Sequence, residues 1–255
     1  MRLDSHAEVL KLARLLGTQP ERLAYLEDRT PEDLRRLRDQ VTDFLFDANL
    51  GALRRMAAAS GLLPSAVLAK IAERTFGPLL CARIAGLVDV SRGVDVAKRL
   101  SPAFLADVAA ELDPRRAAGI IARIPAPTVV AVARELVRRE DWITIGRFVG
   151  HLPDRTVLAA LEVIDDAALL RTAFVLDDKD RIDHVLGLLP GDRVDGVMRV
   201  AGERDLWPAA LDLLEHVGAE RRARLVASIE NLEPGPRDRA IALARELGVL
   251  DELAG

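Results

Sequence analysis

An apolar side chain recurs every twelve residues through the middle of the chain, and this spacing limits the possible folds more than any other feature. The recurring positions are Phe76, Val88, Leu100, Leu112 and Ile124, followed after a longer connection by Leu152, Ile164 and Leu176. Most of the residues five, six, eight and nine places further on are apolar as well. Offsets of three and four residues place side chains on one face of a helix. The repeat therefore predicts a succession of short helices, each with one apolar face.

The residues that separate these apolar groups favour helix starts. Ser101-Pro102 and Asp113-Pro114 each combine an N-cap residue with a proline at the first helical position, and Asp178 is a further cap candidate. A helix of about nine residues is too short to persist alone in water, so the helices must stack on one another. We therefore predict an all-α protein. It would be a superhelical solenoid of short helices in roughly twelve-residue repeats, preceded by an N-terminal helical segment.

Two segments of the chain differ in pattern. Residues 1–75 have ordinary amphipathic periodicity and predict helices at about 5–16, 20–27, 31–47, 49–59 and 64–74. Residues 76–255 are expected to form the repeat domain, or the two segments form one continuous domain. Near the C-terminal end, Pro234-Gly235-Pro236 predicts a break before a last helix from Arg237 to Leu247.

The run from Leu100-Ser101-Pro102 to Leu112-Asp113-Pro114-Arg115-Arg116-Ala117-Ala118 resembles the cytosolic N domain of MgtE-type magnesium transporters. That domain is a superhelix of short helices with repeated Leu-Asp-Pro-Glu-Arg-Ala-Ala phrases, and a flagellar motor switch protein contains a similar module. The likeness covers roughly residues 76–190. It implies a stand-alone soluble relative of a regulatory module, and the resemblance alone suggests Mg²⁺ as a ligand. No metal ligand of the family can be carried over to a residue of this chain.

Composition and charge exclude several classes of protein. The chain has 36 Lys and Arg against 40 Asp and Glu, a balance that argues against a dedicated nucleic-acid binder. Its one cysteine, Cys81, excludes an internal disulfide framework and falls at a core position of its repeat. No stretch of about 20 apolar residues is present, so we expect a cytoplasmic protein without a membrane span.

Catalytic motifs are missing from the sequence: there is no glycine-rich phosphate loop, no HExxH and no nucleophile elbow. We therefore expect a non-enzymatic interaction or regulatory module that binds a protein partner through its helical-repeat surface. The net charge is +4 over residues 1–150 and −8 over residues 151–255, so self-association or the docking of a basic partner is also open. The alternative to both is that the uneven charge belongs to a solvated surface that binds no partner.

Two other functions and a few candidate residues remain open. A carrier or sensor of a small apolar molecule could line a groove with Trp142, Phe148, Phe174 and Trp207. For a divalent-cation sensor, weak oxygen-ligand candidates lie one repeat apart at Asp165-Asp166 and Asp177-Asp178, where helix capping is the favoured reading. A polar pair of Asp180 and His184 is expected on one helical face, with His184 partly buried.

Overall fold

The computed structural model describes residues 3–47 and 49–247, except for the side chain of Asp192, and its regular secondary structure within these ranges is helical. It contains no strand within them, which confirms the all-α prediction. The α-helices are, in chain order, α1 (Leu3–Leu15), α2 (Pro31–Asp47), α3 (Leu50–Ser60), α4 (Ser65–Ile71), α5 (Gly77–Ala85), α6 (Val90–Ala97), α7 (Pro102–Glu111), α8 (Ala118–Ile121), α9 (Ala126–Arg138), α10 (Trp142–Val149), α11 (Asp154–Leu161), α12 (Asp166–Phe174), α13 (Arg181–Gly187), α14 (Gly191–Glu203), α15 (Trp207–Glu215), α16 (Ala219–Glu230) and α17 (Pro234–Leu247).

Several predicted boundaries need correction. The segment Pro20–Leu26 is a 3₁₀ helix, and a π-helical turn, Ala72–Phe76, continues α4. Pro234-Gly235-Pro236 does not break the chain before the last helix but forms its first turn, because proline lacks only a hydrogen bond that the first turn does not make.

The chain divides into two compact units that do not follow the predicted segments. Unit 1 contains Met1–Arg38 and Ile164–Gly255, and unit 2 contains Asp39–Val163. Compactness is not independent folding, so the division into 1–75 and 76–255 stays a prediction.

Helices of unit 2 pack on the next helix but one along the chain. One series runs α3, α5, α7, α9 and α11, and a second runs α4, α6 and α8. Helices α6, α7 and α9 begin at Val90, Pro102 and Ala126, at multiples of twelve residues from one another. The solenoid as a whole stays a prediction.

A glycine allows one of these contacts to be close. A Cβ atom on Gly93 of α6 would lie 2.3 Å from Cδ1 and 2.9 Å from Cγ1 of Ile120 in α8. Ile120 is buried, so its side chain fills the space that a larger residue at position 93 would need. The two helices therefore approach each other over a bare backbone.

The core of unit 2 contains several of the repeated positions. Ala82, Val108, Leu112, Ala117 and Ile121 form one buried cluster. Cys81 packs against this cluster half-buried, and burial raises the pKa of its thiol to about 11. It therefore behaves as a small apolar residue rather than as a thiolate.

In unit 1, helix α12 packs against α14 and α15, and α14 also packs against α16 and α17. Helix α1 packs against the 3₁₀ segment and α15. A buried apolar cluster that includes Val9, Leu12 and Leu34 joins α1 to the 3₁₀ segment and to the start of α2. Because α1 has apolar residues on nearly all sides, it is buried along most of its length, including Glu8 and Lys11.

The same corner occurs once in each unit. Glu140 follows α9 with φ of 55°, and Asp205 follows α14 with φ of 53°. The next residue donates its backbone N–H across the helix end in both cases, from Asp141 to Leu136 O and from Leu206 to Ala201 O, each at 2.9 Å. These bonds satisfy carbonyls that a helix end leaves open, and each corner is followed by a helix that begins at tryptophan, α10 or α15.

Candidate functional site

Charged side chains lie along the buried face of α1 in unit 1. Asp4, Glu8 and Lys11 are spaced four and three residues apart, so they share one side of the helix. Glu8 and Lys11 are only 2% and 3% exposed, although charged residues are almost never fully buried without partners. We call these residues and the groups that pair with them the α1 cluster.

At the centre of the α1 cluster, two acids face three cations, one of which is the more exposed Arg35, with Nη2 3.3 Å from Glu8 Oε1. Lys11 Nζ lies 2.6 Å from Glu8 Oε1 and 2.9 Å from Asp177 Oδ1. Arg38 Nη1 lies 3.0 Å from Glu8 Oε2 and 2.8 Å from the same Asp177 oxygen. Burial alone would raise the pKa of Asp177, but Lys11 and Arg38 outweigh it and lower that pKa to about 2.

Near the start of α1, a second part of the α1 cluster surrounds Lys179. Its ammonium lies 3.3 Å from Asp4 Oδ1 and donates to Asp212 Oδ2 in α15. His216 Nε2 is 3.4 Å from Asp4 Oδ1, so this carboxylate raises the pKa of His216, and the imidazole and Lys179 lower that of Asp4. Asp212 is fully buried, and burial raises its pKa to about 7 despite Lys179.

Asp4, Glu215 and His216 are the group of three possible metal ligands found among the described residues. One nitrogen and two carboxylates suit Zn²⁺ better than Mg²⁺, which prefers oxygen ligands. The Lys179 ammonium already stands beside Asp4 and supplies a cation there. The α1 cluster is therefore a network of ion pairs that joins α1 to other parts of unit 1, in which Asp212 Oδ1 is buried without a hydrogen-bond partner.

The predicted aspartate pairs have structural partners. Asp165 caps α12, accepting from the Ala168 N–H at 2.7 Å, and Asp166 lies 3.1 Å from Arg193. Asp177 belongs to the α1 cluster, whereas Asp178 is exposed in the turn before α13. Capping and ion pairing therefore describe the positions of three of the four, and a cation site at these residues stays a prediction.

His184 differs from its expected environment. It lies exposed on α13, which begins at Arg181 rather than directly after Asp178. The buried side of α13 is formed by Ile182, Val185 and Leu186 instead, so the expectation that His184 is partly buried is wrong. Asp180 is the residue before this helix, and the pairing of the two side chains stays a prediction.

The four aromatic residues proposed for a groove are divided between the units. Trp142 and Phe148 are half-buried in unit 2, where Phe148 packs against the core cluster. In unit 1, Phe174 lies beside the His6 ring and 5.5 Å from Lys179 Nζ, and Trp207 is 1% exposed. Trp207 is thus a core residue, and a groove lined by these rings stays a prediction.

A different surface of unit 2 stands out by its chemistry. Along α3, the exposed residues Gly51, Arg55 and Ala58 are spaced four and three residues apart and lead to Leu62 in the following turn. Leu62 is 88% exposed, and its neighbour Leu63 is exposed as well. Leu63 begins a second stripe that continues on α4. We call the two stripes, which meet at this turn, the α3–α4 face.

The second stripe of the α3–α4 face combines apolar and basic residues. Val67 and Lys70 follow Leu63 on the exposed side of α4, and Arg74 is exposed in the π-helical turn. Residues 50–76 contain four cations, namely Arg54, Arg55, Lys70 and Arg74. None of these four forms an ion pair with a described residue. The one acid of this segment, Glu73, instead accepts a hydrogen bond from the Ser101 N–H at 2.6 Å.

Arg92 of α6 holds the turn between the two stripes. Its guanidinium donates to the carbonyl oxygens of Ser60 and Leu63, at the two ends of the turn. Asp89 caps α6 and accepts from the Arg92 N–H at 3.2 Å, so the helix that carries this arginine is itself well started. The exposed leucines are therefore presented on a backbone fixed by side-chain contacts.

Sequence reasoning missed both places. The buried charges of α1 could have been found from its apolar residues on all sides, which predict a helix without a solvent face. The α3–α4 face was hidden because its leucines follow the same periodicity as core residues, and only the structure shows which stripe is covered.

No protein-family model, curated protein or solved structure matches the chain. The resemblance of residues 100–118 to the N domain of MgtE-type transporters therefore stays an interpretation of the sequence. Within the described parts of the chain, every helix is too short or too polar to cross a membrane.

Proposed function

We propose that the protein is a non-enzymatic interaction module that binds a protein partner through a surface of its stacked helices. The observation that carries this proposal is the α3–α4 face of unit 2. Helices α3 and α4 pack on α5 and α6 and are the first members of the two series of stacked helices. The end of a helix stack needs a polar outer face to remain in water, yet here Leu62, Leu63 and Val67 are exposed.

The charged groups of unit 1 are consistent with the same proposal, because their unusual pKa values can be explained without catalysis. The ion pairs of Asp177 with Lys11 and of Asp4 with Lys179 join α1 to other parts of its unit, and Asp212 pairs with the same Lys179. Perturbed pKa values in such a network have a structural cause, and they do not require catalysis.

The proposal is tested by quantitative affinity capture with three forms of the chain. Leu62→Asp combined with Val67→Asp places charges on the α3–α4 face, and Leu158→Asp is the matched control because Leu158 is an exposed leucine elsewhere in unit 2. Equal circular dichroism and melting temperatures establish that all three forms fold. Proteins captured by the wild type are then purified and their Kd values measured.

We expect a captured protein whose Kd rises by about tenfold or more in the double variant and is unchanged in the control. Equal binding by all three forms refutes the α3–α4 face as the binding surface. Capture of no protein with a measurable Kd refutes the partner-binding function.

A further inference from the structure

The α3–α4 face points to one kind of partner: we propose that it binds an acidic amphipathic helix, whose leucine-type residues cover Leu62, Leu63 and Val67 and whose carboxylates meet the surrounding cations. This inference rests on the proposed function and names the chemistry of the partner at the same surface.

The positive charge of the α3–α4 face predicts a partner with negative charge. Residues 50–76 contain Arg54, Arg55, Lys70 and Arg74 against Glu73, and the last of these is engaged with Ser101 N. Elsewhere in unit 2, arginines often have carboxylates close by, as Arg116 Nη2 does at 2.7 Å from Asp43. Arg54, Arg55 and Lys70 are exposed without an ion pair to a described residue, and Arg74 interacts with the adjacent Glu73 only at longer range, so their donors can meet the carboxylates of another molecule, which arginine binds with two parallel hydrogen bonds.

The shape of the face favours a helix. Its exposed apolar residues are close together in the chain at the turn and the start of α4, and its cations lie further along α3 and α4. On α3 the exposed residues nearest the turn are small, namely Ala58 and Ala59, so a second helix can approach the backbone closely there. A partner with an apolar stripe and flanking acids matches this arrangement.

Membrane and nucleic-acid surfaces fit less well. A segment that inserts into lipid usually carries tryptophan or phenylalanine on its apolar face, and a nucleic-acid site uses aromatic rings for stacking. The only aromatic residue between positions 50 and 76 is Phe76, which is half-buried. The fixed turn, held by Arg92, also suits a partner of defined shape.

Two designed helical peptides of equal length test this proposal on the full chain. Both carry the same leucine stripe, and their polar faces are glutamate in one and lysine in the other. Binding is measured by fluorescence anisotropy. The variant Arg55→Glu/Lys70→Glu reverses two cations of the face. The variant Arg123→Glu/Arg155→Glu makes the same charge change at two exposed arginines elsewhere in unit 2.

We expect the glutamate peptide to bind, with a Kd that rises about tenfold or more in Arg55→Glu/Lys70→Glu and changes less than about twofold in the control. Affinity should also fall as salt is added, because the cations are exposed. Equal binding of the two peptides, or binding of neither, overturns the proposal.

Two other occupants are separate outcomes of the test, and each overturns the proposal. In the first outcome, the protein sediments with phosphatidylserine vesicles and does not bind the glutamate peptide. The other is concentration-dependent self-association that Arg55→Glu/Lys70→Glu abolishes. If the peptides fail while a captured protein is still lost with Leu62→Asp/Val67→Asp, the partner chemistry is wrong and the proposed function stands.

Discussion

Replacing Gly93 by alanine tests the close packing of α6 on α8. Alanine gains about 1 kcal/mol of helix propensity over glycine, which favours the variant. Against this, the new Cβ would meet Ile120 Cδ1 at 2.3 Å and Cγ1 at 2.9 Å. The terminal methyl group can rotate away, but Cγ1 moves only with the stiff χ1 angle of a β-branched residue or with the backbone. Overpacking of this kind costs about 1–3 kcal/mol, so after the gain in helix propensity we expect a net loss of up to about 2 kcal/mol.

Gly51→Ala is the matched control in the same unit. The nearest atom to its added Cβ is Arg55 Nη1 at 3.9 Å, so the change should leave stability equal or raise it by up to about 1 kcal/mol. In a thermal melt, the Tm of Gly93→Ala should be lower than that of the wild type by about 2–4 °C for each kcal/mol of stability lost. A Gly93→Ala protein as stable as Gly51→Ala would refute the close approach of α6 and α8.

Three further outcomes can be measured by urea unfolding. Glu8→Gln neutralises a buried carboxylate that faces Lys11 and Arg38 and should cost about 3 kcal/mol, whereas the same change at exposed Glu111 should have little effect. Asp212 has a folded-state pKa of about 7, above its unfolded value, so its stabilising contribution is full below about pH 4 and is lost as the pH rises through 7. Asp212→Asn should remove this part of the pH dependence, and parallel pH profiles for variant and wild type would contradict the assignment. Asp89→Ala should cost about 1 kcal/mol by uncapping α6, and an unchanged midpoint would show that the cap contributes nothing.

Helix positions follow from the sequence where capping is local. Ser101 accepts from the Phe104 N–H and Pro102 begins α7, as the Ser-Pro pair predicts. Asp141 likewise caps α10 through the Thr144 N–H at 3.1 Å. Both starts depend on residues within three positions of one another, so no tertiary information is needed to find them.

Starts that depend on distant partners were predicted incorrectly. Asp113-Pro114 resembles Ser101-Pro102, yet α8 begins only at Ala118. Asp113 instead binds the backbone and guanidinium of Arg115, and Arg115 and Arg116 also reach Asp39 or Asp43 of α2. These contacts join residues more than seventy positions apart, so the local periodicity of the sequence does not predict them.

The two places that matter for function differ in how visible they are in the sequence. The paired charges of α1 lie among apolar residues, a local signal, but their partners Asp177 and Asp212 are far away in the chain. At the α3–α4 face the composition is visible and the exposure is not, because Val67 and buried Leu68 are adjacent residues of the same type. Only packing decides which of two apolar stripes faces water.

The contact of Lys11 with Asp177 joins residues 166 positions apart, and it belongs to a unit made of two separate stretches of chain. During synthesis the N-terminal helix leaves the ribosome long before α12 and α15, whereas all of Asp39–Val163 emerges in one piece. We therefore expect unit 2 to acquire its structure first on the nascent chain, while Glu8 and Lys11 stay hydrated until their partners are translated.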